Sequence, residues 1–374
     1  MLIGIDGSRA FLRERTGIEE YSYQVIKSLR DKLSDVQACL PVRQVVLYLR
    51  KNQTVDFDLP ENWKVKTIKW PYLWTQAGMS LEMLFHPIDV LFIPAHTVPI
   101  IHPENTIVTI HGLEYEFCSQ AYSFWARAYM RWSIKNSCKW AKTIIAVSEN
   151  TKKDLMRLYK VPEEKIMVIH EGYDNELRIT NYELRHSDKH KPYVLFIGRL
   201  EERKNIVGII KAFEILKEQY KISHELVLAG NFGYGKEKIV AEIKNNNYAK
   251  DIILTGYVRE EEKWELLQNA DVFLFPTFYE GFGLPILEAQ SAGVPVVAGD
   301  NSSIPEIMNC NVETHDYASL QLINPHNAEQ IADAAWKLIS DKALRDDIIK
   351  KGYENVKRFS WEKCGKQIAQ VLLI

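Results

Sequence analysis

The chain has 374 residues, 46% of them apolar, and a formal net charge of −2. That length allows two ordinary domains, each with its own core. The near-neutral charge excludes the broad basic field of a dedicated nucleic-acid binder, and no run of about 18 apolar residues exists to span a bilayer. Five widely spaced cysteines (Cys39, Cys118, Cys138, Cys310 and Cys364) include no Cys-x-x-Cys pair, and read as reduced thiols rather than disulfides or a zinc site. The opening Met-Leu-Ile-Gly-Ile-Asp runs straight into a strand without an export signal. A cytoplasmic protein, or one peripheral on the inner membrane face, is expected.

Apolar runs at Leu2–Asp6, Gln44–Leu49, Val90–Pro94, Thr106–Ile110 and Thr143–Val147 read as strands, with helices at Glu19–Leu33 and Glu149–Tyr159. Ala121–Lys142 is a basic amphipathic segment. Arg127, Arg131, Lys135 and Lys139 repeat every four residues beside a stripe of Trp125, Tyr129 and Trp132, with no acid present. Such a helix lies on an anionic membrane, or its aromatics pack on their own sheet while the bases face water. Glu171–Pro192 lacks periodicity and reads as a hinge. Strands then recur at Tyr193–Gly198, Glu225–Gly230, Asp251–Gly256, Asp271–Pro276 and Val294–Gly299, and Phe359–Ile374 is helical.

Apolar strands alternating with helices predict an α/β chain of two doubly wound, Rossmann-like domains facing across a cleft. They span 1–185 and 186–374, with the helix of 359–374 free to pack back on the first. Such sheets bind ligands at the carboxyl ends of their strands. That rule singles out Gly7, His111, Arg199 and Thr277–Glu280.

The densest chemistry lies in Tyr279-Glu-Gly-Phe-Gly-Leu-Pro-Ile-Leu-Glu288. A strand, a glycine turn and a helix with Pro285 in its first turn would aim the N–H groups of Gly281, Phe282, Gly283 and Leu284 at an anion, a natural diphosphate cradle. Glu280 and Glu288 would flank it. Carboxylates repel phosphate, so they suit the hydroxyls of a sugar and a ribose. In Phe196-Ile-Gly-Arg-Leu-Glu-Glu-Arg-Lys-Asn205, Arg199 stands at a strand end and Lys204 at the start of the next helix. Both could neutralise charge on a departing diphosphate. Position favours Arg199 and Lys204 over Arg203.

On these segments the C-terminal half resembles retaining glycosyltransferase family 4, of the GT-B fold. Its glutamate pair with seven residues between matches Glu280 and Glu288, and its arginine–lysine pair matches Arg199 and Lys204. Ser291-Ala-Gly-Val-Pro-Val-Val297 and Ser302-Ser-Ile-Pro-Glu306 agree too. The resemblance covers most of the chain and is strongest from Tyr193 to Ile307. Gly4-Ile-Asp-Gly7 and Thr16-Gly-Ile-Glu-Glu-Tyr21 resemble the mannosyl- and rhamnosyltransferases of surface-polysaccharide assembly.

By that resemblance Gly17 lets the first helix approach the donor phosphates, and His111 approaches the transferred sugar. Glu19-Glu20 departs from the commoner glycine–arginine pair. The implied reaction is retaining, with the leaving phosphate taking the acceptor proton, so neither metal nor cofactor is expected. The implied donor is GDP-mannose, with UDP- and dTDP-linked sugars as alternatives, and the acceptor is a glycan or a lipid-linked glycan. His96, in Pro94-Ala-His-Thr-Val-Pro99, is a candidate for the acceptor. A non-catalytic nucleotide-sugar binder supporting another transferase is the rival reading.

Three motifs are set aside. Gly230-Asn-Phe-Gly-Tyr-Gly-Lys-Glu237 follows a P-loop until Glu237 replaces the magnesium-binding hydroxyl, though Gly230 or Gly233 could border the donor. Asp56-Phe-Asp58 sits in a polar stretch unsuited to a metal site. Ser303-Ile-Pro-Glu306 reads as a capping box. No Gly-x-Gly-x-x-Gly follows either domain's first strand, which argues against a dinucleotide oxidoreductase.

Overall fold

The structure, a computed structural model, describes residues 1–13, 15, 17–34, 44–173, 191–308 and 321–373. They form two compact units: Met1–Leu113 with Phe124–Asp174 and Phe359–Ile374, and Glu114–Ser123 with Asn175–Arg358.

The first unit is built on β1 (Leu2–Asp6), α1 (Gly17–Ser34), β2 (Gln44–Arg50), β3 (Trp63–Ile68), α2 (Ser80–Phe85), β4 (Val90–Ile93) and β5 (Asn105–Ile110). After α3 (Glu114–Phe117), which belongs to the second unit, it continues with α4 (Phe124–Trp140), β6 (Thr143–Ala146), α5 (Glu149–Tyr159) and β7 (Ile166–Val168). All seven strands are parallel, in the order β3-β2-β1-β4-β5-β6-β7. Central strands such as β4 are buried along their whole length, as continuous apolar runs require. β3 escapes the sequence pattern because it is an edge strand, with Lys64 and Lys66 alternating with apolar neighbours. α5 starts where Ser148 accepts the Thr151 N–H at 3.1 Å.

The second unit runs β8 (Tyr193–Ile197), α6 (Ile206–Glu218), β9 (Glu225–Ala229), α7 (Lys236–Asn245), β10 (Ile252–Gly256), α8 (Glu260–Asn269) and β11 (Val272–Phe275). It ends with α9 (Leu284–Ser291), β12 (Val296–Gly299), α10 (Ile304–Ile307), β13 (Gln321–Ile323), α11 (Ala328–Ser340) and α12 (Lys342–Val356). Its six strands are also parallel, ordered β10-β9-β8-β11-β12-β13. Both sheets therefore carry the expected doubly wound α/β topology. Each reverses strand order once, between β1 and β4 and between β8 and β11, and such switch points are where open α/β sheets bind ligands.

The last helix, α13 (Trp361–Leu372), packs against α1. Gly365 is needed there, because a Cβ would collide with the Ser28 hydroxyl. Gly172 lies so close to the Trp361 backbone that a Cβ would overlap it. Glu171 and Tyr173, expected to begin a hinge, are buried in the first unit, and residues 174–190 of that stretch lie outside the described residues.

Candidate active site

The switch point of the second sheet brings two loops together, Gly198–Asn205 after β8 and Pro276–Gly283 after β11. At their junction Lys204 Nζ donates to Glu280 Oε1 at 2.5 Å, with both residues buried. Arg203 reaches the same oxygen at 3.3 Å and the Tyr279 carbonyl at 3.2 Å, while its other arm bonds Glu201 at 2.9 Å. Burial opposes charge on Glu280, but Lys204 and Arg203 outweigh it and hold the carboxyl below its ordinary range. Burial and the neighbouring Arg203 pull the Lys204 ammonium down, against the pull of Glu280. An ammonium has three donors, and among the described residues Lys204 uses one, on Glu280. The ammonium therefore keeps donors to spare beyond its bond to Glu280.

The glycine turn has the expected strand–turn–helix form. Gly283 takes φ 118°, a left-handed value suited to glycine, and α9 follows with Pro285 in its first turn. The N–H groups of Gly283 and Leu284 have no partner among the described residues. The turn is held from behind by Asn301-Ser302-Ser303. Asn301 donates to the Thr277 and Phe278 carbonyls, Ser302 Oγ accepts the Glu280 N–H, and Ser303 Oγ donates to the Glu280 and Phe282 carbonyls. Ser303 therefore makes no capping box; α10 has no side-chain cap, and the hydroxyl serves the Glu280 loop instead. Tyr279 stacks on Phe117 at 4.6 Å.

Glu288, in the second turn of α9, is bonded at 2.8 Å by Lys263 of α8, which also pairs with Glu260. Burial works against the Lys263 charge, but Glu288 and Glu260 hold that ammonium above its ordinary value. The sequence reading passed over Lys263, since nothing in a string announces which helix will lie beside Glu288.

The two arginines of the β8 loop differ in their surroundings. Arg199 is exposed, without an ion pair among the described residues, while Arg203 is the one that grips Glu280. Lys204 also differs in detail, closing a 3-10 turn (Glu202–Lys204) ahead of α6, whose cap is Asn205. The P-loop look-alike has a packing role. Leu200 and Glu202 bond the chain at Asn231 and Tyr234, and a Cβ on Gly230 would collide with the Gly198 carbonyl. A cavity of about 530 Å³ borders the same loops through Phe278 and Asn301, but Arg199, Lys204, Glu280 and Glu288 do not line it.

In the first unit His111 follows β5 and His96 follows β4. His111 Nε2 lies 2.9 Å from the Pro94 carbonyl, which can only accept, so that nitrogen carries a hydrogen. Nδ1 lies 2.9 Å from Glu171 Oε1. Tyr21 packs edge-on at 4.5 Å. Both ring nitrogens of His111 are thus taken by protein groups. His96 is the reverse: its Nδ1 is buried without a hydrogen-bond partner, and its backbone sits at φ 40°, fixed by an N–H bond to the Thr109 carbonyl. Burial, then His111, push this imidazole well below its ordinary range, so it is neutral near pH 7.

Glu171 went unnoticed in the sequence because it was assigned to the hinge; the strand-end rule applied to β7 finds it. Gly17 opens α1 with open space where a side chain would stand. The unusual Glu19 and Glu20 are paired with Arg9 at 3.4 Å and Arg15 at 2.8 Å.

Two family models match the chain: Glycosyltransferase Family 4 over residues 15–177 and Glycosyl transferases group 1 over residues 183–355. O-antigen chain mannosyltransferase B of Escherichia coli is 29% identical over 274 residues, covering 71% of this chain and 69% of that protein. Sucrose-phosphate synthase from Thermosynechococcus elongatus aligns with a TM-score of 0.74 at 18% identity, over 99% of this chain and 97% of that one. Anabaena Alr3699/HepE, solved in complex with UDP and glucose, aligns with a TM-score of 0.73 at 17% identity, over 100% and 99%. At these identities the two structural likenesses speak to the fold.

Proposed function

The chain belongs to the GT-B glycosyltransferases that these two family models describe, and from that premise we propose that it transfers a hexose or deoxyhexose, mannose from GDP-mannose first, to a glycan or lipid-linked acceptor. The observation that carries this reading is the buried Lys204 beside Glu280 at the glycine-lined start of α9. Lys204, Arg199 and the N–H groups of residues 281–284 take the diphosphate. Glu280 accepts from the sugar hydroxyls and Glu288 from the ribose.

As the anomeric C–O bond breaks, charge grows on the β-phosphate, and each fixed donor there is worth about 3–4 kcal/mol. The acceptor oxygen bonds the anomeric carbon from the face the diphosphate leaves, and its proton passes to the leaving phosphate oxygen. Configuration is retained without a dedicated base, a metal or a cofactor. In the first domain (1–185) Gly17 gives room to the phosphates, His111 fixes the surroundings of the sugar, and the orphaned His96 nitrogen takes an acceptor hydroxyl. The second domain (186–374) takes the donor. The enzyme works on the cytoplasmic side, peripheral on the membrane. Support for mannose comes from the name of the O-antigen mannosyltransferase relative.

Melting the protein with GDP, UDP, dTDP and ADP tests the donor. A ligand that binds only the folded state at 100 times its Kd adds about 2.7 kcal/mol. GDP should give the largest rise in Tm. A rise with UDP or dTDP alone would reassign the base, and no rise with any of the four would contradict the reading.

A further inference from the structure

We propose that the cavity at the carboxyl ends of β11, β12 and β13 is a carbohydrate subsite, separate from the donor's, that holds a neutral sugar ring of the glycan. The inference rests on the glycan acceptor proposed above and adds a place for it in the second unit. Open parallel sheets bind ligands outside the carboxyl ends of their strands, and three such ends meet here. Phe278 follows β11, Asp300 and Asn301 follow β12, and Asn324, Pro325 and His326 follow β13. The first turn of α11 adds Gln330. The volume of about 530 Å³ falls in the range of small-ligand sites, roughly 300–1,000 Å³.

The walls are fixed by bonds among themselves. The Asp300 N–H donates to the Ile323 carbonyl at 2.8 Å, joining the loops after β12 and β13. The Asn324 N–H donates to Gln330 Oε1, and Asn324 Oδ1 accepts the His326 N–H, each at 3.0 Å. Asn205, next to Lys204, donates to the Pro325 carbonyl at 2.6 Å. Asn301 donates to the Phe278 carbonyl at 3.2 Å, two residues before Glu280. A ligand therefore meets walls that need little ordering on binding, which spares a weakly held sugar that cost.

What those bonds leave over sets the chemistry. Among the described residues the Asp300 carboxylate has no hydrogen bond or ion pair, and the amide N–H groups of Asn324 and Gln330 are unused. The lining thus offers a strong acceptor and two amide donors. Neighbouring hydroxyls, which both donate and accept, are their complement. The His326 ring stacks on Phe278 at 4.7 Å and 20°, and the two rings supply a flat flank for the C–H face of a sugar. Among the described residues no lysine or arginine lines the cavity, and Asp300 repels phosphate, so a nucleotide is disfavoured. One carboxylate is too few for a divalent cation, and no group of three metal-binding side chains occurs among the described residues.

Saturation-transfer NMR on the full chain with methyl α-mannoside, methyl α-glucoside and methyl α-rhamnoside tests this. At least one glycoside should receive saturation, and titration gives its Kd. Asp300→Ala should raise that Kd about ten-fold and Gln330→Ala about five-fold, the usual losses for a charged and a neutral hydrogen bond. Both side chains are exposed, so Tm should hold. Glu280→Gln, which alters the donor's sugar site, should leave this binding in place. Saturation of none of the three, a Kd unchanged in either cavity variant, or binding that Glu280→Gln abolishes while its Tm holds would overturn the proposal. The nucleotide-induced rise in Tm is read on the same samples. Glycoside binding without that rise contradicts the donor reading alone, and the rise without glycoside binding contradicts this proposal alone.

Discussion

Lys204→Ala should lower kcat by roughly 10²–10³-fold, the usual loss when one preorganised donor to developing charge is removed. The protein should stay folded, because Glu280 keeps Arg203 as a partner at 3.3 Å. KM for the donor should change much less than kcat, since the ammonium is needed most when the phosphate carries its leaving charge. Lys204→Arg should not rescue the enzyme, because a planar guanidinium does not fit a buried slot shaped for a compact ammonium. Glu280→Gln keeps the volume and removes the acceptor charge, and should lose activity comparably. Transfer rates of the purified variants measure these effects. A Lys204→Ala enzyme with wild-type kcat would remove the diphosphate role from this residue.

The second large effect separates the two arginines. Arg203→Ala should cost about 1.5–3 kcal/mol of folding stability, because it strips charged hydrogen bonds from Glu201 and Glu280 and leaves Glu201 without its partner. Arg199→Ala should change stability by no more than about 0.5 kcal/mol, since that side chain is exposed and unpaired among the described residues. Its loss should appear in kcat instead. Denaturant titration and transfer assays on both variants give four numbers. If Arg199→Ala destabilised the fold while Arg203→Ala left it intact, the assignment of Arg203 as the support of Glu280 would fall.

The strand–turn–helix around Glu280 was legible because its signals are local: an apolar strand, two glycines and a proline where a helix begins. The paired topology was legible for the same reason, as continuous apolar strands such as β4 and β11 announce their burial. What escaped depends on neighbours distant in the chain. β3 alternates because it is an edge, and β7 and β13 are three residues each, too short for a period to show.

Ser303 offered a capping pattern, but its hydroxyl is committed to carbonyls about twenty residues away. Arg199 and Arg203 are four residues apart in one charged run, and only the turn at Glu202–Lys204 decides which of them swings toward Glu280. Glu171 is sixty residues from His111 and meets it because β5, β6 and β7 lie side by side. The aromatic stripe of α4 was visible, but its direction was settled by Ser133 and Ser137, small residues with no apolar signal at all.

The central claim is that this donor-site cluster in the second unit grips a nucleoside diphosphate. A crystal of the protein grown with that ligand tests it most directly. The β-phosphate should lie within hydrogen-bond distance of Lys204 Nζ and of the Gly283 and Leu284 N–H groups, with Glu280 still on Lys204. A nucleotide bound elsewhere, with those N–H groups facing solvent, would contradict the account.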